Sequence, residues 1–181
     1  MGSRPPSTSM REVKNMTVRK IEVERFSVTS PKPFEAVVAA LTAAVGKPDM
    51  VEFVQATRAT RTLAELERIV QAGLGRTGLM MFMKLDHGAV LSKQTGLNTP
   101  RNIRFVIGNP LIMMEMVKHV PDAGSYAPVT ILVDERSDGV HLSYDRMASF
   151  LASYGDAAAL TVARNLDSKI ESLIRGSATA G

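Results

Sequence analysis

The fold class of this chain follows from one stretch, PVTILVDERSDGVHLSY, which covers residues 128–144. Two runs rich in β-branched and apolar residues, 128–133 and 140–144, flank the sequence Arg136-Ser137-Asp138-Gly139. Asp-Gly between two such runs is a strong signal for a tight turn that joins antiparallel strands. The stretch therefore predicts a β-hairpin, and with it a sheet that contains antiparallel pairs.

The residues on either side of this hairpin predict short strands that alternate with helices. Strands are predicted over residues 17–29, 79–85 and 103–107, and helices are predicted to begin at Ser30, Thr62, Ala89, Asn109 and near Asp156, the last one capped by Gly176. The run Leu-Met-Met-Phe-Met-Lys-Leu at 79–85 is nearly all apolar, which is typical of a strand buried on both faces. Several short strands with helices on one face predict the α+β class and not a doubly wound parallel sheet.

Length and composition bound the domain organisation. The chain has 181 residues, of which 45% are hydrophobic and 22% charged, as expected for one globular domain with a substantial core. Residues 1–16 are polar and rich in Pro and Ser, and we expect them to form a disordered tail. We expect residues 17–176 to form a single α+β domain with a helical insertion at about 46–78.

Charge and residue content exclude several kinds of partner. Residues 1–20 contain five basic side chains and one acidic one, which leaves 17 of each sign in the rest of the chain despite the net charge of +4. A neutral domain with 5% aromatic residues and no Trp predicts no nucleic-acid partner. The absence of Cys excludes thiolate chemistry. No apolar run approaches a membrane span and no secretory signal is evident, so we expect no membrane partner and a cytoplasmic location.

The motif Asp86-His87-Gly88-Ala89 is the first that could carry chemistry, because it stands between a predicted strand and a predicted helix. Asp86 is expected to cap the helix. His87 could titrate near neutral pH or contact a ligand at the helix N-terminus, and a purely structural role is equally compatible with its position.

The motif Gly108-Asn109-Pro110 also lies between a strand and a helix. Asn109 is expected to be the helix cap, with Pro110 in the first turn. If the two strands are neighbours and their ends meet, His87 and Asn109 would face one small polar recess that suits a carboxylate or phosphate. This convergence is a hypothesis about the fold.

Other chemical motifs are weaker. Met81 with Met83, and Met114 with Met116, could offer thioethers to Cu(I), but their spacing suits packing better. The glycines of Gly73-Leu74-Gly75-Arg76-Thr77-Gly78 have the wrong spacing for a dinucleotide loop and precede a strand. We therefore predict no metal and no cofactor.

Ordered short motifs resemble a known family. Residues 82–89, 105–110, 128–133 and 140–144 are similar in order and spacing to the domain-of-unknown-function family 302. The resemblance covers roughly residues 17–155. It implies a TATA-binding-protein-like fold, in which helices back a curved antiparallel sheet of four to five strands, usually as a homodimer in bacteria or archaea. The family has no settled activity. The chain departs from the family pattern at residues 111–116, where a Met-rich segment suggests a more apolar wall or interface.

Three functions are compatible with these residues. The first is a small-molecule-binding domain that acts as a homodimer and takes an anionic or apolar ligand through Asp86, His87, Asn109 and Tyr144. The second is a structural or partner-interaction module. The third is an enzyme in which His87 is the general acid or base and one of the other three residues assists.

Overall fold

A computed structural model describes residues 16–96 and 100–179. The strands in these ranges are β1 (Arg25–Ser30), β2 (Met80–Asp86), β3 (Asn102–Gly108), β4 (Val129–Arg136) and β5 (Gly139–Asp145). The helices are α1 (Phe34–Ala44), α2 (Met50–Ala59), α3 (Leu63–Gly73), α4 (His87–Thr95), α5 (Pro110–Val117), α6 (Met147–Ala152) and α7 (Ala157–Thr179), and a 3-10 helix spans Pro121–Ser125. Apart from Met16, the tail predicted over residues 1–16 lies outside the described residues.

The five strands form one antiparallel sheet in the order β1-β5-β4-β3-β2. The predicted hairpin is confirmed: β4 ends at Arg136, β5 begins at Gly139, and these two residues pair across a turn made by Ser137 and Asp138. Gly139 has a φ of 134°, which only glycine adopts readily. The α+β class and the antiparallel sheet predicted from the sequence are therefore confirmed.

Side chains alternate between a face of the sheet covered by helices and a face that is open. Phe105, Ile131 and Tyr144 lie in register on β3, β4 and β5, and each is at most 1% exposed. Their neighbours along the strands point to the open face and contact solvent. Helix α7 contacts α1, α5, α6 and β1, so it lies at the centre of the covered side. The main core is thus a layer between one sheet face and α7 with its neighbouring helices.

Strand β2 corrects one prediction, because it is an edge strand and is not buried on both faces. It has β3 on one side, and on the other Gly46 makes a single bridge to Met80. A bulge falls between Met81 and Met83, and the Met83 side chain is 52% exposed. The apolar run looked like a central strand because methionine tolerates exposed, half-buried and buried positions alike.

The segment 46–78 contains two helices, one of which the sequence did not predict. Helix α3 begins at the predicted capping box, in which Thr62 accepts from the Glu65 amide and Glu65 accepts in return from the Thr62 amide. Helix α2 has Asp49 as its cap. Phe53, Val70 and Met80 form a second, smaller core between these helices and β2.

Several element ends also differ from prediction. Strand β1 begins at Arg25 and not at Thr17, and α6 was not predicted. The residue before α1 is Pro33, whereas Ser30 donates from Oγ to the carbonyl of Ala178 at 2.7 Å. Helix α7 continues through Gly176 to Thr179, because packing of its last turn overrides the weak helix preference of glycine.

Across residues 16–96 and 100–179, none of the helices combines the length and hydropathy that a bilayer crossing demands.

Candidate functional site

The turn between β3 and α5 is held by the side chain of Asn109. Its Oδ1 accepts from the Leu111 amide at 2.9 Å, and its Nδ2 donates to the carbonyl of Gly78 at 3.0 Å. Pro110 occupies the first turn, where a missing N–H costs nothing. The predicted helix cap at Asn109 is confirmed, and the second bond ties this turn to the loop that precedes β2.

An apolar cavity of about 220 Å³ lies against this turn. It is bordered by the turn itself, by β2 and α5, by the 3-10 helix and the segment after it, and by α7. The lining residues are Phe82, Gly108, Asn109, Pro110, Ile112, Met113, Met116, Gly124, Ala127, Pro128, Val129 and Leu166. Asn109 is the one polar side chain among them, and both ends of its amide already have partners.

A second, more open groove of about 470 Å³ lies on the other side of Asn109, between α3, α5 and α7. It shares Asn109, Ile112 and Leu166 with the apolar cavity. Its other lining residues include the polar side chains Gln71, Glu115, Asn165 and Lys169. The groove therefore offers more polar side chains than the apolar cavity does.

The turn between β2 and α4 has a different environment. Asp86 accepts from the Ala89 amide at 2.8 Å, which confirms its predicted role as a cap. His87 is exposed, and within the described ranges its side chain makes neither a hydrogen bond nor an ion pair. Neither Asp86 nor His87 lines the cavity or the groove beside Asn109.

The hypothesis that these two turns converge is wrong. Asp86 pairs with Ile103 at the start of β3, whereas Gly108, just before Asn109, pairs with Met80 at the start of β2. Six residues of extended strand separate the two turns, which is roughly 20 Å. The hypothesis assumed that the ends of neighbouring strands meet, but in an antiparallel pair the end of one strand lies beside the start of the other.

Tyr144, the fourth predicted ligand-binding residue, is buried in the core. Its hydroxyl donates to Asp167 Oδ1 at 2.6 Å, and the same carboxylate accepts from the amides of Met147 at 2.7 Å and Ala148 at 3.1 Å. Burial and the Asp167 carboxylate raise the pKa of the Tyr144 hydroxyl above its ordinary value. Tyr144 and Asp167 thus hold the start of α6 against α7, which is a structural task.

Several residues of the cavity could not be predicted from the sequence. Phe82, Ala127 and Leu166 come from three separate parts of the chain, and nothing in their local sequence brings them together. The Met-rich segment did give a signal, because Met113 and Met116 form part of the apolar wall. As for metals, the part of the chain that the structure describes contains no cluster of three His, Asp or Glu side chains that could hold an ion.

These features define a class: an α+β domain with one open five-stranded antiparallel sheet and an apolar cavity where β3 meets α5. The chain belongs to the family described as Domain of unknown function DUF302, whose model matches residues 55–175. This range begins and ends later than the resemblance indicated, and it leaves out β1 and α1.

One solved structure supports the same fold. A crystal structure of an uncharacterized conserved protein DUF302 from Bacillus stearothermophilus has a TM-score of 0.58 to this chain, with 10% sequence identity. The alignment covers 83% of this chain and 95% of that one. At this identity the likeness shows the fold alone. A comparison with curated proteins gave no match.

Proposed function

We propose that this protein binds a small, neutral, apolar molecule in the cavity beside Asn109. The observation that carries the proposal is the cavity itself: about 220 Å³ of space lined by apolar side chains at a strand–helix junction. An apolar cavity of about 150 Å³ is large enough to hold benzene. The space therefore suits a single ring or a short branched hydrocarbon group.

The lining favours a neutral ligand over a charged one. A charge brought into an apolar cavity is destabilised unless a partner compensates it. Asn109 is the one polar side chain available, and it is already bonded to Leu111 and Gly78. Affinity would come from apolar surface removed from water, at about 25 cal/mol for each Å².

The test uses benzene as the probe and the methyl groups of the methionines as reporters. The chain has 11 methionines, and Met113 and Met116 line the cavity. We expect benzene to cause saturable NMR shifts of these two methyl groups before it affects the exposed Met83. Shifts that never saturate, or that appear equally at Met83, would refute the cavity as a binding site.

A pair of variants on one helix sharpens this test. Met113→Trp places a larger side chain at the cavity wall, whereas Met114→Trp changes the next residue of α5, which does not line the cavity. We expect the first variant to abolish the benzene-induced shift at Met116 and the second to keep it. Equal loss in both variants would show that the effect comes from disturbance of α5 and not from occupation of the cavity.

We also propose that the chain forms a homodimer through the open face of the sheet. The apolar side chains on that face are Met83, Leu85, Val106 and Leu132. Apolar side chains of this kind form the centre of homodimer interfaces. Pairing through the free edge of β2 is disfavoured, because a bulge and Lys84 interrupt that edge.

Light scattering coupled to size-exclusion chromatography tests this second proposal. We expect a dimer for the unmodified chain and a monomer for Leu132→Lys, which puts a charge on the open face. Leu63→Lys is the control, because Leu63 is 54% exposed on α3, away from the sheet. A strict monomer for the unmodified chain at high concentration would contradict the dimer.

A further inference from the structure

A recess of about 400 Å³ lies between α1 and α7, beside the glycine-rich loop of residues 73–78. It is lined by Ala40, Ala44, Arg76, Thr77, Ser168, Lys169, Ser172, Leu173, Gly176 and Ser177. None of these residues lines the apolar cavity beside Asn109. The recess is therefore separate from that cavity, and Lys169 lies between the recess and the groove on the other side of Asn109, because it lines both.

The glycines of the loop fix its position against the end of α1. A β-carbon on Gly75 would stand 2.4 Å from the amide nitrogen of Gly46, and one on Gly46 would stand 1.9 Å from the Gly73 carbonyl. Thr77 donates to the carbonyl of Ala44 from its Oγ1 at 2.9 Å and from its amide at 3.4 Å. These contacts hold the backbone on both sides of Arg76 against the end of α1, so the start of its side chain is fixed relative to that helix.

Two cations at this recess have no anionic partner. Across the described residues, Arg76 and Lys169 make no ion pair and no side-chain hydrogen bond. Of the eleven other arginines in the described residues, five form an ion pair, among them Arg25 with Asp145 and Arg101 with Glu135. Within the described ranges, no Asp or Glu lines the recess, and Lys169 Nζ lies 3.9 Å from where a β-carbon on Gly78 would stand.

The acidic groups of α7 point elsewhere. Asp167 accepts from Tyr144 and from the start of α6, and Glu171 pairs with Arg146 at 2.7 Å. The C-terminal end of α1 carries a partial negative charge that would oppose an anion, but the two bonds from Thr77 to the Ala44 carbonyl offset part of it. The described residues that line the recess therefore carry two positive charges, Arg76 and Lys169, and no negative one.

The rest of the recess is hydrocarbon with few free polar groups. Ala40, Ala44 and Leu173 supply apolar surface. The hydroxyls of Ser168 and Ser177 donate to carbonyls within α7, those of Arg164 and Leu173. The free polar groups are therefore concentrated at Arg76 and Lys169, with Ser172 on the same helix.

We propose that this recess binds a small organic anion, with its carboxylate or phosphate held by Arg76 and Lys169 and its hydrocarbon part lying on Ala40, Ala44 and Leu173. A volume of about 400 Å³ falls in the range of small-molecule sites. The inference does not depend on the neutral-ligand cavity, because the two spaces share no lining residue.

The test uses octanoate as the probe on the full chain and follows backbone amide signals by NMR. We expect saturable shifts at Thr77, Gly78 and Gly176, and weaker binding at higher salt concentration, since charge carries part of the affinity. Octanol, which has the same hydrocarbon and no charge, should bind at least about fivefold more weakly. Equal binding of octanol, or shifts confined to other regions, would overturn the proposal.

Two variants and two controls assign the charges. Arg76→Gln and Lys169→Gln should each weaken octanoate binding about fivefold, while the thermal midpoint stays unchanged because both side chains are exposed. Arg68→Gln on α3 and Lys93→Gln on α4 remove exposed cations away from the recess and should leave the affinity unchanged. If all four variants lose affinity equally, the anion is held by net charge alone and the recess is not a site. If none of the four loses affinity, Arg76 and Lys169 do not hold the anion, and the proposal is overturned.

Discussion

The two strand–helix turns of this molecule look alike in sequence, but the helices that follow them are packed differently. At the end of β2, Asp86 caps α4, and at the end of β3, Asn109 caps α5. The helices have nine and eight residues. Gly88 is the one buried residue of α4, whereas α5 buries Met116 completely and packs against α7 and the 3-10 helix.

The difference shows that a capped helix N-terminus does not make a site by itself. Asp86 and Asn109 both satisfy amides at the start of a helix, which is all that local sequence requires of them. A cavity forms beside Asn109 because α7 and the segment before β4 border that corner, whereas among residues 16–96 and 100–179 no such elements cover His87, which is exposed. Tertiary packing decides which of two equivalent motifs can hold a ligand.

The largest effect that tests this comparison is on stability, in the helices that follow the two turns. Met116→Ala in α5 removes a fully buried side chain, and we expect it to lower the free energy of unfolding by roughly 2–5 kcal/mol. Val90→Ala in α4 removes a side chain that is 70% exposed, and its effect should stay within about 0.5 kcal/mol. Urea unfolding followed by circular dichroism measures both.

The pair of substitutions is informative because each removes apolar atoms from a short helix next to a capped turn. A loss at Val90 as large as that at Met116 would mean that α4 is buried, for example in the proposed dimer. Repeating the measurement on the monomeric Leu132→Lys variant would distinguish that explanation, since the Val90 effect should then disappear.

A second comparison concerns the caps themselves. Asn109→Ala removes the acceptor for the Leu111 amide and the donor to the Gly78 carbonyl, and we expect a loss of about 2 kcal/mol. Asp86→Ala removes one exposed cap and should cost about 1 kcal/mol. The same urea experiment ranks the two.

Asn109→Ser separates the two bonds of Asn109. Serine keeps a cap acceptor for the start of α5, but it has no amide N–H for the Gly78 carbonyl and adds no charge to the cavity wall. A stability close to that of Asn109→Ala would show that the tie to the loop matters most. A stability equal to the unmodified chain would show that the cap alone matters, and the two turns would then be energetically equivalent.

Much of the fold could be predicted because its signals are local. The Asp138-Gly139 turn, the Thr62 capping box and the Asn109 cap depend on residues within a few positions of each other, and all three are present in the structure. The edge position of β2 could not be predicted, because it depends on which strands pair. The residues from Met80 to Met83 would be apolar whether the strand lay at the edge or at the centre of the sheet.

The site was harder to predict for the same reason. The sequence indicated Asn109 and a Met-rich wall, and both lie at the cavity. It also indicated Tyr144, but the partner that occupies its hydroxyl, Asp167, is 23 positions away on another helix. Arg76 and Lys169 are 93 positions apart, and no local pattern relates them.

We expect the smallest effect on stability and on ligand binding from substitution of His87, the residue that the sequence indicated as the best candidate for catalysis. His87→Ala should change the free energy of unfolding by less than about 0.5 kcal/mol, because the side chain is exposed and has no partner in the described part of the chain. It should also leave the benzene-induced shift of the Met116 methyl unchanged, since His87 lies roughly 20 Å from Asn109 along the strands.

A screen for turnover of small metabolites by the unmodified chain and by His87→Ala completes the experiment. Turnover that His87→Ala abolishes would make the turn after β2 the functional one and reverse the comparison between the two turns, whereas identical behaviour of the two proteins would leave Asn109 as the turn where ligand chemistry should be sought.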